Sequence, residues 1–340
     1  MIMDILLMKP LYTQSGASSP EVADNLSSWG QWSFVATIGF ALFVYVLEGS
    51  LDARQKATYQ KTEFPKELQN TVSKIDAEQD KDRKDGETKP LLEQLQAKFQ
   101  SSQTYGLDKI NFGMISSTYD TVESVAFLLL GFLPYVWDKS VDIGLSYFGW
   151  TADDEIKITL VFLLLTTIVG TITALPFELY STFQIERKHG FNKQTMGLFF
   201  GDKVKSLVLS CAIGGPFVAL LLKIIKMGGN HFYIYVWGFM FVFSVLMMTI
   251  VPVFIMPLFN KYEPLPDGEL KRKIYELAGQ LKYPLKNLFV MDGSKRSSHS
   301  NAFMFGFGSN KRIGASNYSS FFHDPIFLFN LTQYLYGSPV

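Results

Sequence analysis

Residues 232–259 read FYIYVWGFMFVFSVLMMTIVPVFIMPLF, an unbroken run without a single charged side chain. A bilayer has no water in its hydrocarbon core, so a backbone that crosses it must satisfy its own hydrogen bonds. An α-helix of about 20 predominantly apolar residues does this. The run is long enough to cross, and Pro252 and Pro257 near its end predict a kink or a stop. Working upstream, four more stretches approach the same requirement: residues 204–225, 158–175 with Pro176 ending the helix, 122–136, and 32–47. Residues 122–136 are the weakest, because the run is short and holds Glu123 and Pro134; a buried helix of a soluble domain is the competing reading. The fold class that follows is an all-α multi-pass membrane domain with five predicted transmembrane helices.

Composition agrees, at 48% hydrophobic and 15% aromatic over 340 residues. Lys plus Arg equals Asp plus Glu at 31 each, so no basic footprint for nucleic acid exists and the expected surroundings are membrane lipid. Cys211 is the single cysteine, which excludes an internal disulfide and a Cys-rich zinc ribbon. The first 30 residues hold only one basic residue, Lys9, and do not read as a cleaved signal peptide.

Orientation follows from where Lys and Arg sit beside the helix ends, since short loops rich in them stay cytoplasmic. The tail 1–31 has Lys9 alone, whereas the loop after the first span carries Arg54, Lys56, Lys61 and Lys66. The next loop holds Asp138, Asp142, Asp153, Asp154 and Glu155 against Lys139 and Lys157; the one after it holds Arg187, Lys188, Lys193, Lys203 and Lys205. The tail 1–31 is therefore expected on the lumenal side and everything after residue 260 in the cytosol. Residues 51–111, polar with helix-favouring flanks, are expected to form a solvated cytosolic helical insertion with a mobile tip near 80–86.

After residue 260 the pattern becomes that of a small soluble α+β domain. Asp267 precedes a helix whose Leu270, Ile274, Leu277 and Leu281 recur at steps of three and four and give one apolar face. Residues 288–291 read as a buried strand, 292–300 as a polar turn, 301–307 as a second strand, and 311–313 as the start of a return strand.

Three stretches resemble one family. The first runs from Leu175-Pro176-Phe177-Glu178-Leu179-Tyr180-Ser181 through Ile185-Glu186 to His189-Gly190-Phe191-Asn192-Lys193. The second comprises Ile213-Gly214-Gly215-Pro216, then Ile250-Val251-Pro252-Val253-Phe254-Ile255-Met256-Pro257 and Phe259-Asn260-Lys261. The third is Asp292-Gly293-Ser294-Lys295-Arg296-Ser297-Ser298-His299-Ser300-Asn301-Ala302, with Lys311-Arg312-Ile313 after it. Over residues 32–313 the chain is similar to the type I CAAX prenyl proteases, integral-membrane zinc metalloproteases of the endoplasmic reticulum. The resemblance implies membrane helices around a hydrophilic chamber, closed by a zincin-like protease domain on the cytosolic side. It implies removal of the last three residues of prenylated CAAX proteins as substrates, and residence in the endoplasmic reticulum membrane, with the inner nuclear membrane as a second site. It also places Asn301 and Ala302 on a strand whose backbone pairs with extended substrate; an ordinary sheet strand is the plainer alternative.

In that family a His-Glu-x-x-His helix and a later Glu hold the zinc cofactor, the two His binding one metal while the Glu takes a proton from the attacking water. Here the histidines are His189, His231, His299 and His323, followed by Gly190, Phe232, Ser300 and Asp324. None is followed by Glu and no two stand four apart, so no catalytic and no metal residue is assigned, and the chain as written is expected to bind no zinc and to be inactive. The soluble part, 261–313, reads as the truncated start of the protease domain, and 314–340 as an unrelated tail from a read-through intron, alternative exon or faulty gene model. On this reading the strand 301–307 loses its partner after Ile313. Two other outcomes stand beside it: a non-catalytic membrane protein that binds prenylated peptides, and an unstable fragment.

The remaining conspicuous residues have plainer readings. Glu123 and Glu178 are expected at helix ends by the membrane interface. Gly214 and Gly215 are expected to let two helices approach closely. His299 in a Ser-rich turn is expected to be merely exposed.

Overall fold

A computed structural model describes residues 20–79, 90–151, 153–292, 295–298, 302–306 and 311–316. These fall into two compact units that divide the chain between Ile185 and Glu186.

In the first unit, α1 (Pro20–Tyr59) and α3 (Leu91–Leu130) are each 40 residues long. They pack side by side through a close approach at Gly106, where a Cβ would sit 2.5 Å from the Tyr59 ring, so that only glycine fits. The Tyr45 hydroxyl meets Thr118 Oγ1 at 2.9 Å, and the Gln103 amide donates to the carbonyls of Thr58 and Lys61 at 3.3 and 3.0 Å. The short α2 (Lys66–Gln79) turns back onto α3. Its Asp76 carboxylate accepts from the backbone N–H groups of Leu91 and Leu92, both at 2.9 Å. Those are two of the donors a helix start leaves unpaired, and the charge complements the helix dipole. The expected tip of the insertion lies outside the described residues.

The expected second span, 122–136, is not one straight helix. α3 ends at Leu130, Gly131 takes the left-handed conformation with φ 71°, and α4 (Phe132–Phe148) leaves at a bend of 63°. Glycine populates that region without steric cost, so the chain turns there. Pro134 falls in the first turn of α4, where its missing N–H is no loss. The model thus has four helical runs long and apolar enough to cross a membrane, and a fifth when the bent pair counts as one. α4 packs on α5 (Glu155–Tyr180) through the small buried Ser140 and Gly144 and an edge contact between Trp137 and Phe162. Pro176 does not end α5: the helix continues to Tyr180 and then widens into a π turn, Ser181–Glu186. A helix in hydrocarbon has no better place for its backbone groups, so it absorbs a proline rather than stopping.

The second unit begins with α6 (Met196–Leu209), capped by Thr195, whose hydroxyl accepts from the Leu198 N–H at 3.3 Å. A π turn (Ser210–Gly214) leads to α7 (Gly215–Met227), then α8 (Phe232–Ile250), another π turn (Val251–Ile255) and the short α9 (Met256–Phe259). Pro252 and Pro257 are thus accommodated by a widened turn, not a break. Trp237 and Phe254 are exposed, at 70% and 66% of their surface, as lipid-facing side chains are.

Beyond α9 lies a four-stranded sheet in the order β1-β2-β4-β3, made of β1 (Lys261–Pro264), β2 (Leu285–Asp292), β3 (Ala302–Phe305) and β4 (Lys311–Ser316). β2 and β4 are parallel and the two outer pairs antiparallel. Helix α10 (Glu269–Gln280) lays Ile274 on one face, where Leu265, Leu288 and Ile313 complete a buried core. β1, Lys-Tyr-Glu-Pro, has one apolar side chain and gave no strand pattern. The expectation that β3 loses its partner is corrected. β4 continues to Ser316, and all four residues of β3 are paired, from Ala302↔Ala315 to Phe305↔Arg312. Gly314 and Ala315 are small, yet they form a central strand because β2 and β3 bond them from both sides.

Ile313 is 1% exposed at the centre of this core. Ile313→Ala should cost about 2–5 kcal/mol, the usual range for such a deletion. Amide exchange should then lose protection in β2 and α10 while α7 and α8 stay protected; unchanged exchange in β2 would place the core elsewhere.

Candidate functional site

β3 is the free edge of the sheet: β4 pairs with one side of it, and no strand among the described residues occupies the other. An exposed edge presents unused N–H and C=O groups and can accept an extended peptide as a further strand. Ala302 is its first residue, opposite Ala315. Asn301 and His299 lie outside the described residues. Phe303 and Phe305 share the sheet face away from α10 with Phe289, with ring centroids 5.6 and 6.5 Å apart along the row. Gly314 makes room for this row, since a Cβ there would meet the Phe303 ring at 2.7 Å.

Three motifs far apart in sequence meet in the loop that leads to β3. Arg296 donates from Nε and Nη2 to the two oxygens of Asp202 at 2.7 and 2.9 Å, and from Nη1 to Asn260 Oδ1 at 3.0 Å. The backbone of the same loop is stitched to residues 190–193. Ser297 bridges Asn192; Lys193 N–H donates to the Arg296 carbonyl at 3.1 Å, and Ser298 N–H to the Phe191 carbonyl at 2.9 Å. The Ser298 hydroxyl adds a bond to the Gly190 carbonyl at 3.0 Å, with Gly190 at φ 77°. Asn192 Oδ1 accepts from Gln194 N–H at 2.7 Å, and the Gln194 side chain reaches Asp202 at 3.3 Å. Both Asp202 and Arg296 are mostly buried, at 16% and 22% exposure, so the fork between them is a strong charge-assisted pair. The sequence reading passed over Asp202. Its signal was there: it is the one carboxylate between residues 187 and 262, at the head of a membrane helix, where a charge demands a partner.

Other singled-out residues are elsewhere. Glu123 is inside α3, not at a helix end, and accepts from the Tyr119 hydroxyl at 3.3 Å; Glu178 is in the last turn of α5. A Cβ at Gly214 or Gly215 would meet nothing within 4 Å, so they serve no close helix approach; they sit where the π turn rejoins α7. In the first unit an open groove of about 780 Å³ between α1 and α3 is lined by Glu48, Asp52, Tyr105 and Lys109. The Tyr262 hydroxyl on β1 is buried with no hydrogen-bond partner among the described residues, and burial pushes its pKa up.

A catalytic zinc takes three protein ligands. Among the described residues no three His, Cys, Asp or Glu side chains gather in a way that could hold a metal, and the full sequence has no two His four apart.

Residues 55–261 match the family model described as CAAX prenyl protease N-terminal, five membrane helices. The chain belongs to the CAAX prenyl protease family. Residues 264–317 match peptidase family M48, so the likeness runs through the whole of β4. A CAAX prenyl protease 1 homolog of Oryza sativa subsp. japonica is 45% identical over 82% of this chain and 60% of its own length. The human homolog is 42% identical over 82% and 54%, and CAAX prenyl protease 1 of Saccharomyces cerevisiae 36% over 83% and 58%. The crystal structure of S. mikatae Ste24p superimposes with a TM-score of 0.73 at 34% identity, covering 88% of this chain and 65% of that one. The chain thus spans less than two thirds of the length of these CAAX prenyl proteases.

Overpacking at a site this tight costs about 1–3 kcal/mol. Gly314→Val should expel the Phe303 ring and raise the exchange rate of the β3 amides, whereas Gly214→Ala should leave them unchanged. Equal protection in wild type and Gly314→Val would show that the aromatic row does not hold the edge.

Proposed function

We propose that residues 1–340 form the membrane and substrate-edge portion of a metalloendopeptidase that processes prenylated CAAX proteins in the endoplasmic reticulum membrane. On this reading the tail 1–31 is lumenal, residues 32–260 are the membrane domain with its cytosolic insertion, and the sheet stands in the cytosol. A prenylated carboxyl-terminal peptide adds to β3 as an extended strand, along Ala302 and the neighbouring Asn301. The observation that carries this is the free edge of β3, anchored to a membrane helix in a chain of this family. The open groove between α1 and α3 brings Glu48, Asp52 and Lys109 together in the membrane unit, as a hydrophilic chamber would require.

Hydrolysis of this kind depends on a divalent ion that polarises the carbonyl and activates water. The described residues gather no donor set for one, and no His in the sequence is followed by Glu; on this reading residues 1–340 bind the peptide and leave it intact. The full pairing of β3 favours this reading over that of an unstable fragment.

Purified residues 1–340 in detergent should bind a farnesylated CAAX peptide, release no tripeptide, and carry no stoichiometric zinc by elemental analysis. A peptide N-methylated along its backbone should bind more weakly by about tenfold for each hydrogen bond of roughly 1.4 kcal/mol that it loses. Chelator-sensitive turnover would overturn the proposed silence, and indifference to N-methylation would overturn strand addition.

A further inference from the structure

The sheet has two outer strands, β1 and β3, separated by β2 and β4. β1 is joined covalently to the membrane helices, because Lys261 follows α9 with only Asn260 between them. A sheet held at that one edge would pivot about Asn260 and carry its far edge through the largest arc, since each strand adds about 4.8 Å of lever. Arg296, in the loop that leads from β2 to β3, supplies a second attachment. Its guanidinium is the only cation in the described structure that grips a membrane helix carboxylate and the Asn260 side chain together, so it ties both attachment points to each other. The backbone bonds from 191–193 to 296–298 hold the loop on the same anchor.

From Ser298 to Ala302 the chain takes four steps of at most about 3.6 Å, so the start of β3 stays within roughly 14 Å of the anchored loop. We infer that Arg296 is a positioning residue: its fork on Asp202 and its bond to Asn260 fix the free edge of β3 against the cytosolic end of α6, and so set where an added peptide lies relative to the membrane. The inference rests on β3 being the peptide-binding edge. Arg296 touches no reacting atom and acts through the strand. Lysine cannot replace it, because a single ammonium cannot span both carboxylate oxygens and Asn260.

The test uses residues 1–340 with Cys211→Ser and spin labels at Met196→Cys in α6 and Met304→Cys in β3, side chains exposed by 52% and 39%. The inter-label distance distribution should be narrow with Arg296 present and broaden in Arg296→Lys and in Asp202→Asn. In parallel, the dissociation constant for the farnesylated peptide should rise about tenfold in Arg296→Lys, as for one charge-assisted hydrogen bond lost. An unchanged distribution overturns the clamp. A broadened distribution with unchanged peptide affinity overturns its role in placing the peptide. Broadening in a chain whose wild type binds no peptide supports the clamp and instead removes the reading of β3 as a peptide edge.

Discussion

The constraint on which everything else rests is that a peptide backbone inside hydrocarbon has no solvent to bond. It explains why the chain continues as helix through positions that would stop one in water. Pro176 sits inside α5, and Pro252 inside a widened turn between α8 and α9. Three π turns, at Ser181–Glu186, Ser210–Gly214 and Val251–Ile255, take up the irregularity without abandoning helical bonding. Among the described residues, it is at Gly131, where φ 71° is free of strain, that a helical run turns sharply.

Where the chain leaves the membrane, a different balance takes over. The sheet has a core of four buried residues, Leu265, Ile274, Leu288 and Ile313, which is small for an independent domain. Its attachments matter accordingly: the covalent junction at Asn260, the fork between Arg296 and Asp202, and the short backbone pairing of 191–193 with 296–298. Polar groups that are costly at a membrane surface when unpaired become, once paired, the joints of the sheet.

Much of this was legible in the sequence. Uncharged runs announced the membrane helices because length and composition suffice for that inference, and the three-and-four spacing of Leu270, Ile274 and Leu277 announced α10. Proline was misread at Pro176 because the rule that proline ends a helix is calibrated on helices in water. β1 was missed because Lys-Tyr-Glu-Pro carries no alternation; it is a strand through pairing with β2, a tertiary cause. Only the start of β4 was read, at 311–313, because 314–340 was taken as an unrelated tail, whereas the strand runs on to Ser316 and Gly314 seats the Phe303 ring. Of the candidate site, the motifs around Asn192, Asn260 and Arg296 stood out singly. Their convergence did not, since nothing in one dimension says that residues 94 apart, Asp202 and Arg296, share a hydrogen bond.

The pair α1 and α3 has a consequence of its own. At 1.5 Å of rise per residue, 40 residues extend about 60 Å, roughly twice the thickness of bilayer hydrocarbon. Locked together at Gly106 and buttressed by α2, the two helices project as a rigid mast well past the lipid headgroups. Because the two are joined along their length, bending the projecting half has to strain both helices at once.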